Sequence, residues 1–201
     1  MLPLIISFYT LDWEYPRHAE RLRKECENLN LEYRIEERAS RGGYLQNTCI
    51  KPDFIRDVLH EEKRPVLWID VDGSIYKRPG FFDGLDADFA AKRMPKSRNR
   101  TWHVGTLWFN YNLEVLDFID RWVELTGELS DESSLEEARK EFKSLKISDI
   151  PLEYFRIEER RKAPPQDTVI MHRLSNSESK RQQASRFNGD KPQPTRSNNG
   201  G

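Results

Sequence analysis

A chain of 201 residues with 33 basic and 34 acidic side chains has room for one domain with a real core, and its balanced charge creates no net field toward nucleic acid or membranes. Its 36% hydrophobic content, with five Trp and ten Phe, suffices for that core, and no apolar run approaches the length that spans a bilayer. Two cysteines, Cys26 and Cys49, cannot alone build a disulfide framework or a zinc cage, so the chain reads as cytoplasmic and reduced.

Residues 4–8 form an apolar, β-branched run with neither a basic n-region nor a cleavage site, which predicts a first strand rather than a leader. Residues 15–28 place Leu22, Cys26 and then Leu29 at helical spacing among charges, the pattern of an amphipathic helix. Residues 31–36 alternate Leu31, Tyr33 and Ile35 with charges, as a half-buried strand does. Residues 41–44 (Arg-Gly-Gly-Tyr) read as a flexible loop. Residues 51–62 predict a helix with Pro52 in its first turn and an apolar face of Phe54, Ile55, Val58 and Leu59.

Residues 65–72 are the most informative stretch: a buried-strand pattern, Val66 to Ile69, that ends in Asp70 and Asp72. Two anions at the end of a buried strand need a partner. Side chains alternate along an extended chain, so both carboxylates project from one side, where they can hold a hard divalent cation against phosphate oxygens. The β-α-β-α-β order up to this point implies a mostly parallel sheet covered by helices. Beyond Pro79, strands are expected at 87–91 and 101–110, helices at 113–126 and 135–145, and closing strands at 149–156 and 168–172. From about residue 176 apolar side chains nearly vanish. The segment carries five basic and two acidic residues, net +3, and reads as a disordered polar tail over 176–201.

In sequence order these landmarks resemble nucleotide-sugar glycosyltransferases of the GT-A type. The strand ending Ser7-Phe8-Tyr9-Thr10 resembles the one whose tip receives base and ribose. The helix start Asn47-Thr48-Cys49-Ile50-Lys51 is similar to the one whose lysine approaches the diphosphate. Asp70-Val71-Asp72 looks like the Asp-x-Asp motif, and His103-Val104-Gly105-Thr106 like the strand lining the sugar pocket. Ser130-Asp131-Glu132 resembles the later Asp-Gln motif, and Val169-Ile170-Met171-His172 the strand that supplies a metal-binding histidine. Glu132 stands where the motif has Gln, and His103 where it has Asn.

The resemblance implies a Rossmann-related, GT-A-like α/β fold, with a mixed, mostly parallel sheet flanked by helices in one domain over residues 1–175. It implies transfer of a sugar from a nucleoside diphosphate donor, UDP-linked, to an acceptor hydroxyl. Asp70, Asp72 and His172 would hold Mn²⁺ or Mg²⁺, with His172 favouring Mn²⁺. Tyr9, Thr10, Lys51, Asp70, Gly105 and Thr106 would bind the donor, and Asp131 would act on the acceptor side. A polysaccharide or lipopolysaccharide intermediate, or a nucleobase in DNA, is the acceptor class such compact enzymes suggest.

Each residue also has a plainer reading. Asp70 and Asp72 fit an acidic strand end without metal, and His172 a hydrogen-bonded structural histidine. Lys51 fits a solvated helix start, Asp131 a helix N-cap, and Trp102 either packing or a ring platform. Arg41 is a second candidate for charge beside the diphosphate. The basic run from Lys92 to Arg100 is a solvated loop or a contact for an anionic acceptor. Two rival functions remain open at this level. Asp70-Val71-Asp72-Gly73-Ser74 also resembles the first motif of haloacid dehalogenase phosphatases, although two βα units precede it and no later acidic pair follows. A nucleotide-sugar-binding module without catalysis is the other.

Overall fold

A computed structural model describes residues 2–95, 101–127, 129–158 and 163–173. The chain opens with β1 (Leu4–Tyr9) and α1 (Tyr15–Asn28), whose buried stripe is Ala19, Leu22 and Cys26. Pro16 sits in the first turn of α1, where its missing N–H leaves no helical bond unmade. Then come β2 (Tyr33–Glu37), α2 (Tyr44–Thr48), α3 (Ile50–Glu62) and β3 (Val66–Ile69). Strand β4 (Ser74–Ile75) and a 3₁₀ turn at Gly80–Phe82 lead to β5 (Phe89–Arg93) and β6 (Trp102–Phe109). Helices α4 (Leu113–Leu125) and α5 (Asp131–Glu141) follow, then β7 (Ile147–Asp149), a 3₁₀ turn at Leu152–Tyr154, β8 (Arg156–Ile157) and β9 (Ile170–His172).

Six strands form the central sheet in the order β2-β1-β3-β6-β5-β7. All pairings are parallel except the two made by β6, so β6 alone runs against the others. The order reverses at β1: α1 carries the chain to β2 on one side, and α3 brings it back to β3 on the other. The carboxyl ends of β1 and β3 therefore flank a topological switch point, the place where open α/β sheets leave a crevice for ligands. On one face, Phe54, Val58, Phe118, Ile119 and Trp122 of α3 and α4 pack against Trp68, Phe89 and Phe109. On the other face, α1 and a small sheet, β4-β9-β8, cover Ile5, Leu67, Ile69 and Trp108. That second sheet carries His172 to the end of β3.

The mixed, mostly parallel sheet flanked by helices is the one expected, and α1 spans the expected residues. Several boundaries differ for identifiable reasons. Residue 44, expected to end the 41–44 loop, instead opens α2. Helix α5 starts at Asp131, four residues earlier than expected, because Ser130 caps it through Ser133 N at 3.2 Å; Asp131 is thus inside the helix and is not its cap. The expected strand over 149–156 splits around Pro151 into β7, a 3₁₀ turn and β8. Trp102 is core, packed on Phe89 with Arg93 over its ring, and so cannot serve as an exposed platform. The 176–201 tail and the centre of the basic run, residues 96–100, lie outside the described residues.

Asn112 anchors the start of α4, accepting from Val115 N at 2.9 Å and donating to Asp88 Oδ1 at 2.8 Å. Replacing an N-cap by alanine costs about 1 kcal/mol. Asn112→Ala should therefore lower the melting temperature by about 2–4 °C for a chain of this size. An unchanged melting temperature would show the cap to be dispensable.

Candidate active site

The site begins where β3 stops. Gly73 N donates to Asp70 O at 2.7 Å, closing a tight turn over residues 70–73. A side chain at Gly73 could not be accommodated, since its Cβ would lie 2.8 Å from Ile69 Cγ2 and 2.9 Å from Asp70 O. This turn, not strand pleating, brings the two carboxylates together. One ligand atom each from Asp70, Asp72 and His172 lies within 4.8 Å of the others.

Asp70 is held from the α3 side. Its Oδ1 accepts from Trp68 Nε1 at 2.9 Å and faces Lys51 Nζ at 3.2 Å. Lys51 is almost fully buried; its ammonium also meets Asp131 Oδ2 at 2.8 Å and donates to Val104 O at 3.2 Å. One ammonium thus joins α3, β3, α5 and β6. Both fixed contacts of the Asp70 carboxylate go to Oδ1, which leaves Oδ2 for a ligand.

His172 is set from the small sheet into a slot with two glycine walls. A Cβ on Gly105 would lie 3.1 Å from His172 Cε1, and one on Gly73 would lie 3.3 Å from it. Gly105 also accepts from Asp70 N at 2.8 Å and donates to His103 Nδ1 at 3.0 Å. Thr106 Oγ1 lies 2.7 Å from His172 Nε2, while His172 Nδ1 is buried without a hydrogen-bond partner among the described residues. When Nε2–H donates to Thr106, Nδ1 presents its lone pair. A histidine that keeps a buried ring nitrogen unpartnered and is grouped with two carboxylates offers a donor set that fits a divalent cation such as Mn²⁺.

The electrostatics agree with that fit. Burial, then repulsion from Asp70, pushes Asp72 up to about 7. Burial also raises Asp70, but Lys51, His172 and the Trp68 N–H outweigh it and hold Asp70 below its ordinary value. Burial lowers His172 to about 4, which keeps its imidazole neutral. Lys51 is held above its ordinary value because Asp131 and Asp70 outweigh the desolvation it suffers.

Asp70, Asp72, His172, Lys51, Asp131, Gly105 and Thr106 thus come together, although they span the sequence. Tyr9 and Thr10 sit at the carboxyl end of β1, next to β3; Thr10 is buried and Tyr9 lies under the Arg23 guanidinium. Arg41 faces Asp53 at 2.9 Å and Cys49 O at 3.3 Å, not this cluster. Both cysteines are free thiols. Sequence reasoning missed two residues. Trp68 was signalled by its place two residues before Asp70 in an extended run. The other, Arg21 of α1, donates to the backbone of the 70–73 turn and looked like one more solvated charge.

No family model and no curated protein matches the sequence. Solved structures do match by shape. A glycosyltransferase involved in glycosylation of the major capsid of PBCV-1 superposes with a TM-score of 0.68 at 13% identity, over 92% of this chain and 100% of that one. GlyE of Streptococcus pneumoniae TIGR4, a glycosyltransferase, gives 0.61 at 16% identity over 88% of this chain, which spans just over half of GlyE (55%). The galactosyltransferase LgtC gives 0.50 at 11% identity over 92% and 94% of the two chains. The chain has the GT-A glycosyltransferase fold.

Removing the ammonium should expose what it holds. Lys51→Met leaves Asp131 buried without its counter-ion, a loss of about 3–5 kcal/mol at neutral pH in urea unfolding. Lys51 depresses the folded-state pKa of Asp70, so that contribution is present above the unfolded value and lost as pH falls through the folded one. The gap between wild type and variant should therefore shrink below about pH 4. A gap that is absent at pH 7, or that widens in acid, would contradict the ion-pair assignment.

Proposed function

We propose that this protein transfers a sugar from a nucleoside diphosphate donor, UDP-linked, to an acceptor hydroxyl, assisted by Mn²⁺ or Mg²⁺. The observation that carries this reading is the meeting of Asp70, Asp72 and His172, whose buried Nδ1 has no partner among the described residues, at the switch point of a GT-A fold. A divalent ion bound there supplies Lewis-acid stabilisation of the departing diphosphate.

The chain's own residues do the rest. Asp72 and His172 ligate the ion, and Asp70 offers Oδ2 to it or to ribose, its other oxygen being held by Trp68 and Lys51. Tyr9 and Thr10 bound the base and ribose. Lys51 contributes fixed positive charge beside the donor without being free to move. Gly105 and Thr106 shape the sugar side by fixing His172. Asp131 acts on the sugar and acceptor side through Lys51, which it holds at 2.8 Å.

The phosphatase alternative is weaker on two grounds. The sheet that carries the Asp pair superposes on glycosyltransferases of the GT-A type, and two βα units precede the pair. Among the described residues, Asp70, Asp72 and His172 are the one group of three or more potential metal ligands, and it includes a histidine in place of further carboxylates.

Release of nucleoside diphosphate from UDP-glucose, UDP-galactose and GDP-mannose, with Mn²⁺ or with EDTA, tests the proposal. Wild type should turn over at least one donor in Mn²⁺ and none in EDTA. Asp72→Ala should fall to background while keeping its circular-dichroism spectrum. Turnover by Asp72→Ala at the wild-type rate would overturn the site assignment.

A further inference from the structure

The carboxylates of the metal site are carried by a turn, and the turn is held from outside the site. Arg21 Nη2 lies 3.0 Å from Asp72 O, 2.8 Å from Gly73 O and 3.5 Å from Val71 O. The same guanidinium places Nη1 3.2 Å from His18 Nδ1 and Nε 3.4 Å from Glu25 Oε1. Glu25, one helical turn further along α1, takes Ile75 N at 2.8 Å with its other oxygen. Two residues on one face of α1 therefore grip the backbone from Val71 to Ile75, the connection between β3 and β4. Arg21 contacts neither the Asp70 nor the Asp72 carboxylate in these bonds.

We propose that Arg21 is the positioning residue of the metal site: by gathering the turn's carbonyls on one guanidinium, it sets the separation of the Asp70 and Asp72 carboxylates. All three carbonyls meet Nη2 while Nη1 and Nε face His18 and Glu25, so a lysine's single ammonium cannot reach the turn and keep both α1 partners that hold that nitrogen in place. The inference rests on the metal-dependent reading above.

The test is Mn²⁺ titration by calorimetry on the full chain for wild type, Arg21→Lys, Arg21→Met and Arg21→Ala, with circular dichroism as the folding control. Partners of a metal site that do not touch the ion typically change affinity by about 10–100-fold. Arg21→Met should weaken Mn²⁺ within that range, and Arg21→Lys should recover only part of the loss. Guanidinium ion added to Arg21→Ala should restore Mn²⁺ affinity, whereas Arg21→Met, whose side chain fills the space, should not respond. A merely structural role would not produce that difference. If Arg21→Met and Arg21→Ala fail to fold, the folded Arg21→Lys protein decides: wild-type Mn²⁺ affinity overturns the proposal, and weakened affinity with an unchanged spectrum supports it. Wild-type affinity in a folded Arg21→Met also overturns it. Absence of Mn²⁺ binding by wild type itself contradicts the metal-site reading and removes this inference with it.

Discussion

A single buried ammonium organises the carboxyl end of the sheet. Lys51 lies between Asp131 at 2.8 Å and Asp70 at 3.2 Å, with Val104 O closing a third side. Burying one charge in this position alone would be prohibitive, and burying the aspartates alone would be equally so. Together they satisfy one another, and the arrangement requires α3, β3, β6 and α5 all to be in place. The same contacts place three acceptors around the ammonium and two donors on Asp70 Oδ1, so the ion cluster is directional as well as charged.

This divides Asp70 into a fixed half and an available half. Toward α3 its carboxylate is saturated by Trp68 and Lys51. Toward the small sheet it faces Asp72 and His172, where repulsion is left partly uncompensated: Asp72 is pushed up to about 7 by burial and by Asp70. His172 is held neutral, in a slot whose walls at Gly73 and Gly105 admit no Cβ without displacement. A neutral imidazole and two crowded carboxylates meeting at the switch point are a donor set that could hold a divalent cation. The fold brings the two chemical halves from opposite layers, the lysine from the α3 layer and the histidine from the β9 layer.

Much of this frame was legible in the sequence. The periodicity of Leu22 and Cys26 fixed α1, and the run from Val66 to Ile69 with its acidic end marked both strand and site. The reason given for the convergence of Asp70 and Asp72 was incomplete, because Gly73 N bends the chain back to Asp70 O where alternation would have continued it. Long-range pairings were not legible. Lys51, Asp70, Val104 and Asp131 share no local window, so neither reading of Lys51, beside a diphosphate or solvated at a helix start, foresaw its burial between two aspartates. Arg21 was hidden for a similar reason: on α1 it is one charge among several, and only the tertiary approach of the 70–73 turn distinguishes it. His172 was signalled by resemblance alone, since one histidine at a strand end carries no pattern.

The most direct measurement is the melting temperature of the full chain with UDP, GDP or CMP, each in Mn²⁺ and in EDTA. A ligand at a hundredfold its dissociation constant stabilises by about 2.7 kcal/mol, which corresponds to about 5–10 °C for a domain of this size. The account predicts that shift with a nucleoside diphosphate in Mn²⁺, UDP foremost, and its loss in EDTA. No shift with any nucleotide, together with one produced by Mg²⁺ and a phosphate mimic, would contradict it.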